Sequence, residues 1–317
     1  MTRPRLLTVA AIAVAVMLPL VVKSDLTLTI LVFSFLLAML AVSFNLIFGF
    51  TGQLSMFHAA AYGIGAYATH IGMRDLGLAF WPAVGFAMAL VTVLSAIIGT
   101  ICFRFRLKAF YFAVVTLAFA EMARLVAANW HGVTNGTLGL TLTAKPSIGW
   151  PGHAIAIDNT LAWYYLSLTA LAMTIVVCSR CVHSWMGRCF VAIRLNDALG
   201  DALGIDIFRY KLLSFCIANA IAAIAGALYA HFLGYVDPSF LSVDQSLAIV
   251  AMVLLGGKGR VAAPVVGAIF LTLLPHLIHF NAEVRAIIYG SILILVILLL
   301  PKGIVGTAAE WSRRRHA

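Results

Sequence analysis

The residues able to do chemistry in this 317-residue chain are few, and most of them interrupt apolar runs. One block, Asn45 to Tyr67, carries Asn45, Gln53, Ser55, His58 and Tyr62 beside the small residues Ala59, Ala60 and Ala61. Small residues let backbones approach closely, and polar side chains at membrane depth must face protein or a water-filled cavity. The block therefore either lines a passage for a polar solute or hydrogen-bonds between helices. Glu121 is the carboxylate set well inside an apolar run, and Arg124 follows three residues later on the same helical face. An isolated carboxylate would suit a proton relay. A paired one reads as a structural ion pair.

A second polar stretch runs from Met186 to Asp206. Arg188, Arg194, Asp197 and Asp201 are spaced along it as the mixed charges of a short amphipathic helix, which Gly204 would end. Such a helix presents either a solvated face or one that docks into a groove on a partner. Gly256-Gly257-Lys258-Gly259 lacks the earlier spaced glycine and the following Ser or Thr of a phosphate loop. Cys178 and Cys181 form a C-x-x-C with no second ligand pair, so all five cysteines read as reduced thiols. No Ser-His-Asp set and no metal-ligand spacing occurs. The chain reads as a non-enzyme that holds no cofactor; if it pumps, its motor is another chain.

The elements that must position these residues follow from composition. Apolar residues make up 63% of the chain and charged residues 10%. That excludes a soluble enzyme, a disordered chain and a disulfide scaffold. Continuously apolar runs also disfavour an outer-membrane barrel. The expected fold is all-α: a polytopic membrane protein of about ten helices, one domain over residues 1–317. The spans run near Leu6–Val22, Leu26–Phe48, Leu54–Met73, Leu78–Phe103, Ala109–Ala128, Thr160–Cys178, Leu212–Leu233, Leu241–Leu255, Val261–Phe280 and Val284–Leu300. The first has the layout of a signal peptide and is read as a retained helix.

The net charge of +10 carries no basic stripe with interleaved aromatics, so no nucleic-acid partner is expected. With both termini cytoplasmic, sixteen Lys or Arg face inward, four face outward, and Arg124 lies within a span. Residues 129–159 then form an external loop and 179–211 a cytoplasmic one. Five spans followed by five suggest an inverted repeat. The Gly-broken third span and the short eighth occupy matching positions and point to a transport path.

At this level of detail the sequence resembles the LivM-type permeases of branched-chain amino acid ABC importers, the LivH/LivM permease family. The resemblance rests on Gly49–Tyr67, Tyr111–Glu121, Ala192–Leu212, Ala225–Ala230, Met252–Gly259 and Leu300–Ile304, in family order. Two departures are Leu199-Gly200-Asp201, where a further charged residue is usual, and Phe57, where glycine often precedes the histidine. The resemblance implies a multi-pass subunit of the bacterial inner membrane, in contact with membrane lipid. It further implies a homologous LivH-type permease, two cytoplasmic ATPase subunits that bind ATP, and a periplasmic substrate-binding protein. Asn45, Gln53, Ser55, His58, Tyr62, Tyr111 and Thr116 are then substrate-path candidates. Arg188, Arg194, Asp197, Asp201, Gly204 and Arg209, in the 179–211 loop, would couple to the ATPases. Leucine, isoleucine and valine are the expected cargo. Other neutral amino acids, urea or short amides are the alternative within the same class, and a cation-coupled carrier is the alternative outside it.

Overall fold

The structure, a computed structural model, describes residues 15–19, 24–105, 107, 109–142, 146–148, 155–277, 290 and 303–307. Ten helices in this range are labelled here. They are α1 (Asp25–Asn45), α2 (His58–Asp75), α3 (Phe80–Arg104), α4 (Ala109–Asn129), α5 (Thr160–His183), α6 (Trp185–Leu195), α7 (Asp197–Ala202), α8 (Ile207–Leu233), α9 (Val243–Gly256) and α10 (Ala263–Leu277). Apart from residues 15–19 and 290, the expected first and tenth spans lie outside the described residues.

Among the described residues, five segments are long and apolar enough to cross a membrane: Asp25–Phe50, Phe80–Arg104, Phe110–Asn129, Thr160–His183 and Ile207–Leu233. The chain is a largely helical multi-pass protein. α9 has only 14 residues. At the helical rise it extends about 21 Å, less than a hydrocarbon core of about 30 Å. α2 is also short because the expected third span does not begin as a helix at Leu54. Residues 51–57 are non-helical and precede it.

α1 and α8 form the centre, and each has a cause for its ends. Asp25 sits in the first turn of α1, where a carboxylate complements the helix dipole. α8 starts five residues before the expected Leu212 because the Asp206 carboxylate accepts from Arg209 N at 3.1 Å. It ends at Gly234, whose φ of 76° turns the chain back so that its N–H reaches the Ala230 carbonyl at 2.8 Å. α8 crosses α2 with backbones in direct contact. A Cβ on Gly226 would overlap the Tyr62 carbonyl, and one on Gly65 would overlap the Ala223 backbone. α2 and α3 pack together and both pack on α8, while α9 and α10 pack together and α10 packs on α1. α3, α4 and α5 carry uncovered apolar side chains, among them Val93, Ile97, Met122 and Met173. Such faces suit contact with lipid.

The expected all-α fold needs one amendment, in the outer connections. Leu140–Thr141 pairs antiparallel with Tyr235–Val236, and Ser147–Ile148 with Ile155–Ala156. The 129–159 loop is thereby tied to the segment after α8. At the opposite end lie the C-termini of α1, α3, α5 and α9, the N-terminus of α8, and α6 and α7. This end carries Arg104, Arg180, Arg188, Arg194, Arg209, Lys211, Lys258 and Arg260, and it is called the inner end below.

Candidate functional site

The break between α1 and α2 organises the interior. α1 continues as one π-helical turn, Leu46–Phe50, after which the backbone is irregular and non-helical to Phe57. Gly52 makes the turn possible with a φ of 75°, a conformation that a side chain would strain. Backbone at this depth must find partners inside the protein, and here it does. Thr116 Oγ1 of α4 accepts from Met56 N at 3.1 Å, and Ser246 Oγ of α9 donates to the Met56 carbonyl at 3.0 Å. Thr51 Oγ1 donates to Ser214 Oγ of α8 at 3.1 Å, and Gln53 N reaches the Ile47 carbonyl at 3.1 Å. The Ser55 hydroxyl accepts from Phe57 N at 3.2 Å. Four elements thus hold one seven-residue segment.

Immediately beyond it, His58 begins α2 and is fully buried in a polar chain linking four helices. His58 Nδ1 lies 2.9 Å from Asn219 Oδ1 of α8, and Nε2 lies 3.0 Å from Ser43 Oγ of α1. Asn219 Nδ2 in turn donates to Ser95 Oγ of α3 at 3.0 Å. Since Ser43 donates to the Leu40 carbonyl at 2.8 Å, its oxygen is left to accept from Nε2, and Nδ1 carries no second proton to give. A neutral ring with that tautomer faces Asn219 through a nitrogen lone pair, so the Asn219 amide is turned to offer its NH2 to Nδ1, and its Oδ1 then accepts from the Ser95 hydroxyl in place of the Nδ2–Ser95 bond. The Oδ1/Nδ2 assignment is interchangeable by flipping the amide. Tyr62, one turn on, packs its ring on Phe240 with centroids 5.4 Å apart and on Tyr229 at 5.7 Å.

The inner end of the same break meets the polar stretch that follows α5. Arg194 of α6 donates from Nη1 to the Gly49 carbonyl at 2.5 Å. Asn45 Oδ1 accepts from Gly259 N at 3.1 Å, and its Nδ2 donates to the Arg260 carbonyl at 2.9 Å. The turn after α9 is therefore pinned to the end of α1. The expected single amphipathic helix is two, α6 and α7, split at Asn196, whose side chain caps α7 by accepting from Ala198 N at 2.9 Å and Leu199 N at 3.3 Å. Lys211, buried at the start of α8, places its ammonium 2.6 Å from Asp197. Gly204 turns the chain after α7 with a φ of 76°. Arg209 pairs with Asp206 at 2.8 Å, and Arg188 lies over the Trp185 ring, 4.9 Å from its centroid. Two clefts open at this end, of about 330 and 630 Å³, and both are lined by Leu107, Asp197 and Lys211.

The structure thus brings Asn45, Gln53, Ser55, His58, Thr116, Arg194 and Asp197 to one region around the break. Tyr111 stands apart on the uncovered face of α4. Glu121 and Arg124 lie in the outer half of α4, with Arg124 Nε 2.9 Å from each carboxylate oxygen and both side chains about one-third exposed. Sequence reasoning missed Ser43, Ser95, Ser214 and Asn219. The available signal was a lone Asn within the apolar run Phe215–Leu233. It also missed Lys211 as a buried group. Among the described residues no cluster of three or more His, Cys, Asp or Glu could hold a metal ion. What the arrangement does is to hold a broken helix by hydrogen bonds and tie it to a surface segment.

Residues 26–300 match the family described as branched-chain amino acid transport system / permease component. The chain is 26% identical to the high-affinity branched-chain amino acid transport system permease protein LivM of Escherichia coli (strain K12), over 96% of this chain and 75% of that one. It is 24% identical to LivH of the same organism, over 85% of this chain and 91% of that one. It is also 24% identical to the ribose import permease protein RbsC of Escherichia coli (strain K12), over 68% of each. No solved structure matches. The chain belongs to the branched-chain amino acid transport permease family. It is an ABC-importer permease, a non-catalytic transmembrane subunit whose ATP is bound by partner ATPases and whose cargo comes from a binding protein.

Proposed function

We propose that this permease imports branched-chain amino acids, leucine, isoleucine and valine, across a bacterial inner membrane. It works there with a LivH-type permease, two ATPase subunits and a periplasmic binding protein. The observation that carries the reading is the match to the family over residues 26–300, with LivM and LivH among the relatives. RbsC, named for ribose, belongs to the same set of relatives, so the cargo is the part of this reading that needs its own test.

Residues 1–317 form one permease domain of ten spans, arranged as two inverted blocks of five. The packing supports the repeat: α3 on α8 has its counterpart in α10 on α1, and α2 on α3 in α9 on α10. These are the pairs that an inverted five-span block would exchange. Residues 129–159 lie outside and 179–211 lie inside as the coupling segment.

The path runs beside the broken segment, with Asn45, Gln53, Ser55, His58, Tyr62 and Thr116 as its contributors, while Tyr111, on the uncovered face of α4, lies outside it. Glu121 and Arg124 brace α4 as an ion pair. Arg188, Arg194, Asp197, Asp201, Gly204 and Arg209 belong to the segment that receives ATPase movement. Arg194 supports that role because it joins the segment to Gly49, at the break itself.

The test is reconstitution of the four-component system in vesicles with a panel of amino acids, ribose, urea and acetamide. ATP-dependent uptake of leucine, isoleucine and valine is expected. Uptake of ribose or urea in their place, or leucine uptake that follows an ion gradient without ATP, overturns the reading.

A further inference from the structure

The smaller inner cleft, of about 330 Å³, combines residues of the coupling segment with residues of the break and of α8. It is lined by Gln53, Arg194, Asn196, Asp197 and Lys211, with Leu107, Ile193 and Leu195 as its aliphatic part. Gln53 is 6% exposed, and its Oε1 is buried without any hydrogen-bond partner. Leaving such an oxygen unpaired is unfavourable, a cost that a ligand donor would remove. Lys211 is equally buried at 5% exposure, so its ammonium sits in the wall and not in bulk solvent. Arg194 spends one N–H on Gly49 and keeps others in its fork.

The wall therefore offers cationic donors, one carboxylate, an unpaired amide oxygen and an apolar floor within one volume of the size used for small ligands. A simple anion that took Lys211 would release Asp197 from its 2.6 Å pairing and leave Gln53 Oε1 unpaired. A simple amine would leave Arg194 without one. A molecule bearing a carboxylate, an ammonium and a short aliphatic chain uses all of them.

We infer that this cleft is an inner binding site for an aliphatic α-amino acid, open to the cytoplasm, through which accumulated product acts on the coupling segment. This inference rests on the proposed function for its choice of ligand. The carboxylate meets Lys211 and Arg194, the ammonium meets Asp197 and Gln53 Oε1, and the side chain lies on Leu107 and Ile193. Because Gln53 belongs to the broken segment while Arg194 and Asp197 belong to α6 and α7, a bound amino acid bridges the two. It restrains the joint that the motor has to move, and import slows as product accumulates.

The experiment uses the complete permease–ATPase complex in nanodiscs, without binding protein, and titrates in L-leucine. Binding to the wild type is expected, with 4-methylpentanoate and 3-methylbutylamine, which each lack one charge, competing at least tenfold more weakly. Gln53→Leu and Asp197→Asn are each expected to weaken leucine binding at least tenfold, whereas Gln53→Glu, which keeps an acceptor, stays within about threefold of wild type. A segment that served only for coupling would not alter leucine affinity in the absence of ATP. In the wild type, saturating leucine on the ATPase side lowers ATP hydrolysis at least threefold. If Gln53→Leu does not assemble, Asp197→Asn and the two analogues decide the matter.

Absent leucine binding, equal competition by the single-charge analogues, unchanged affinity in the variants or unchanged ATP hydrolysis each overturn the inference. Uptake separates this result from the transport reading. Leucine uptake without inner binding sinks the site alone, and inner binding without leucine uptake sinks the cargo assignment alone.

Discussion

Arg194 reaches across 145 positions of sequence to donate to the Gly49 carbonyl, at the π-helical turn where α1 breaks. The contact joins a surface helix to a segment held by side chains instead of by its own helical hydrogen bonds. Motion of α6 therefore has a direct mechanical route to residues 51–57.

The polar chain through His58 is buried, so its members are coupled in energy. His58→Leu strands the Asn219 amide and lowers the melting temperature of the purified permease, and Asn219→Leu strands His58 Nδ1. The double variant removes both partners and should be less damaging than the sum of the two by at least about 1 kcal/mol. Strictly additive losses in detergent melts would show that the two groups do not share a hydrogen bond.

Close backbone approach at the α2–α8 crossing gives a pair of contrasting predictions. Gly65→Ala and Gly226→Ala push a methyl group into the facing backbone, and both should abolish assembly with the partner subunits. Gly85→Ala in α3 meets nothing within 4 Å and should leave assembly intact, with a gain of up to about 1 kcal/mol from helix propensity. Co-purification of the ATPases reads all three. Assembly of Gly226→Ala at wild-type yield would refute the crossing.

Asn45 closes the turn after α9 with one acceptor and one donor. Asn45→Ala loses both bonds and should cost about 1–2 kcal/mol, since the partner groups at Gly259 and Arg260 keep some access to water. Asn45→Asp keeps the acceptor for Gly259 N but sets a buried carboxylate oxygen against the Arg260 carbonyl, and should lose more than Asn45→Ala. A melting temperature for Asn45→Asp at or above that of Asn45→Ala would place this side chain in water.

The Lys211–Asp197 pair is asymmetric, since the ammonium is buried while the carboxylate is half-exposed. Removing the carboxylate strands a buried charge, whereas removing the ammonium leaves a solvated one. Asp197→Asn should therefore destabilise more than Lys211→Met. The reverse order in a thermal melt would place the lysine in water.

Much of this organisation was legible in the sequence. The spans at α3, α4 and α5 follow from apolar runs and end where Asn159 caps or charge begins, within a few residues of expectation. The break after α1 was legible only as glycines. An uninterrupted apolar run hides a π-turn, because its cause is remote: Thr116, Ser214 and Ser246 supply the bonds that make non-helical backbone tolerable. The second helix of the inner segment was hidden too, since Asn196 reads as a polar residue within a helix until its cap is seen. The His58–Asn219 contact spans 161 positions and leaves no local trace. Local pattern fixes which residues are helical, whereas the polar site depends on which helices cross.

If the inner segment transmits motor movement to the break through Arg194, the quantity to measure is the number of leucine molecules imported per ATP hydrolysed by the reconstituted complex, for wild type and Arg194→Ala. The variant is expected to bind its ATPases and hydrolyse ATP while import per ATP falls at least tenfold. An unchanged ratio at normal hydrolysis would contradict it.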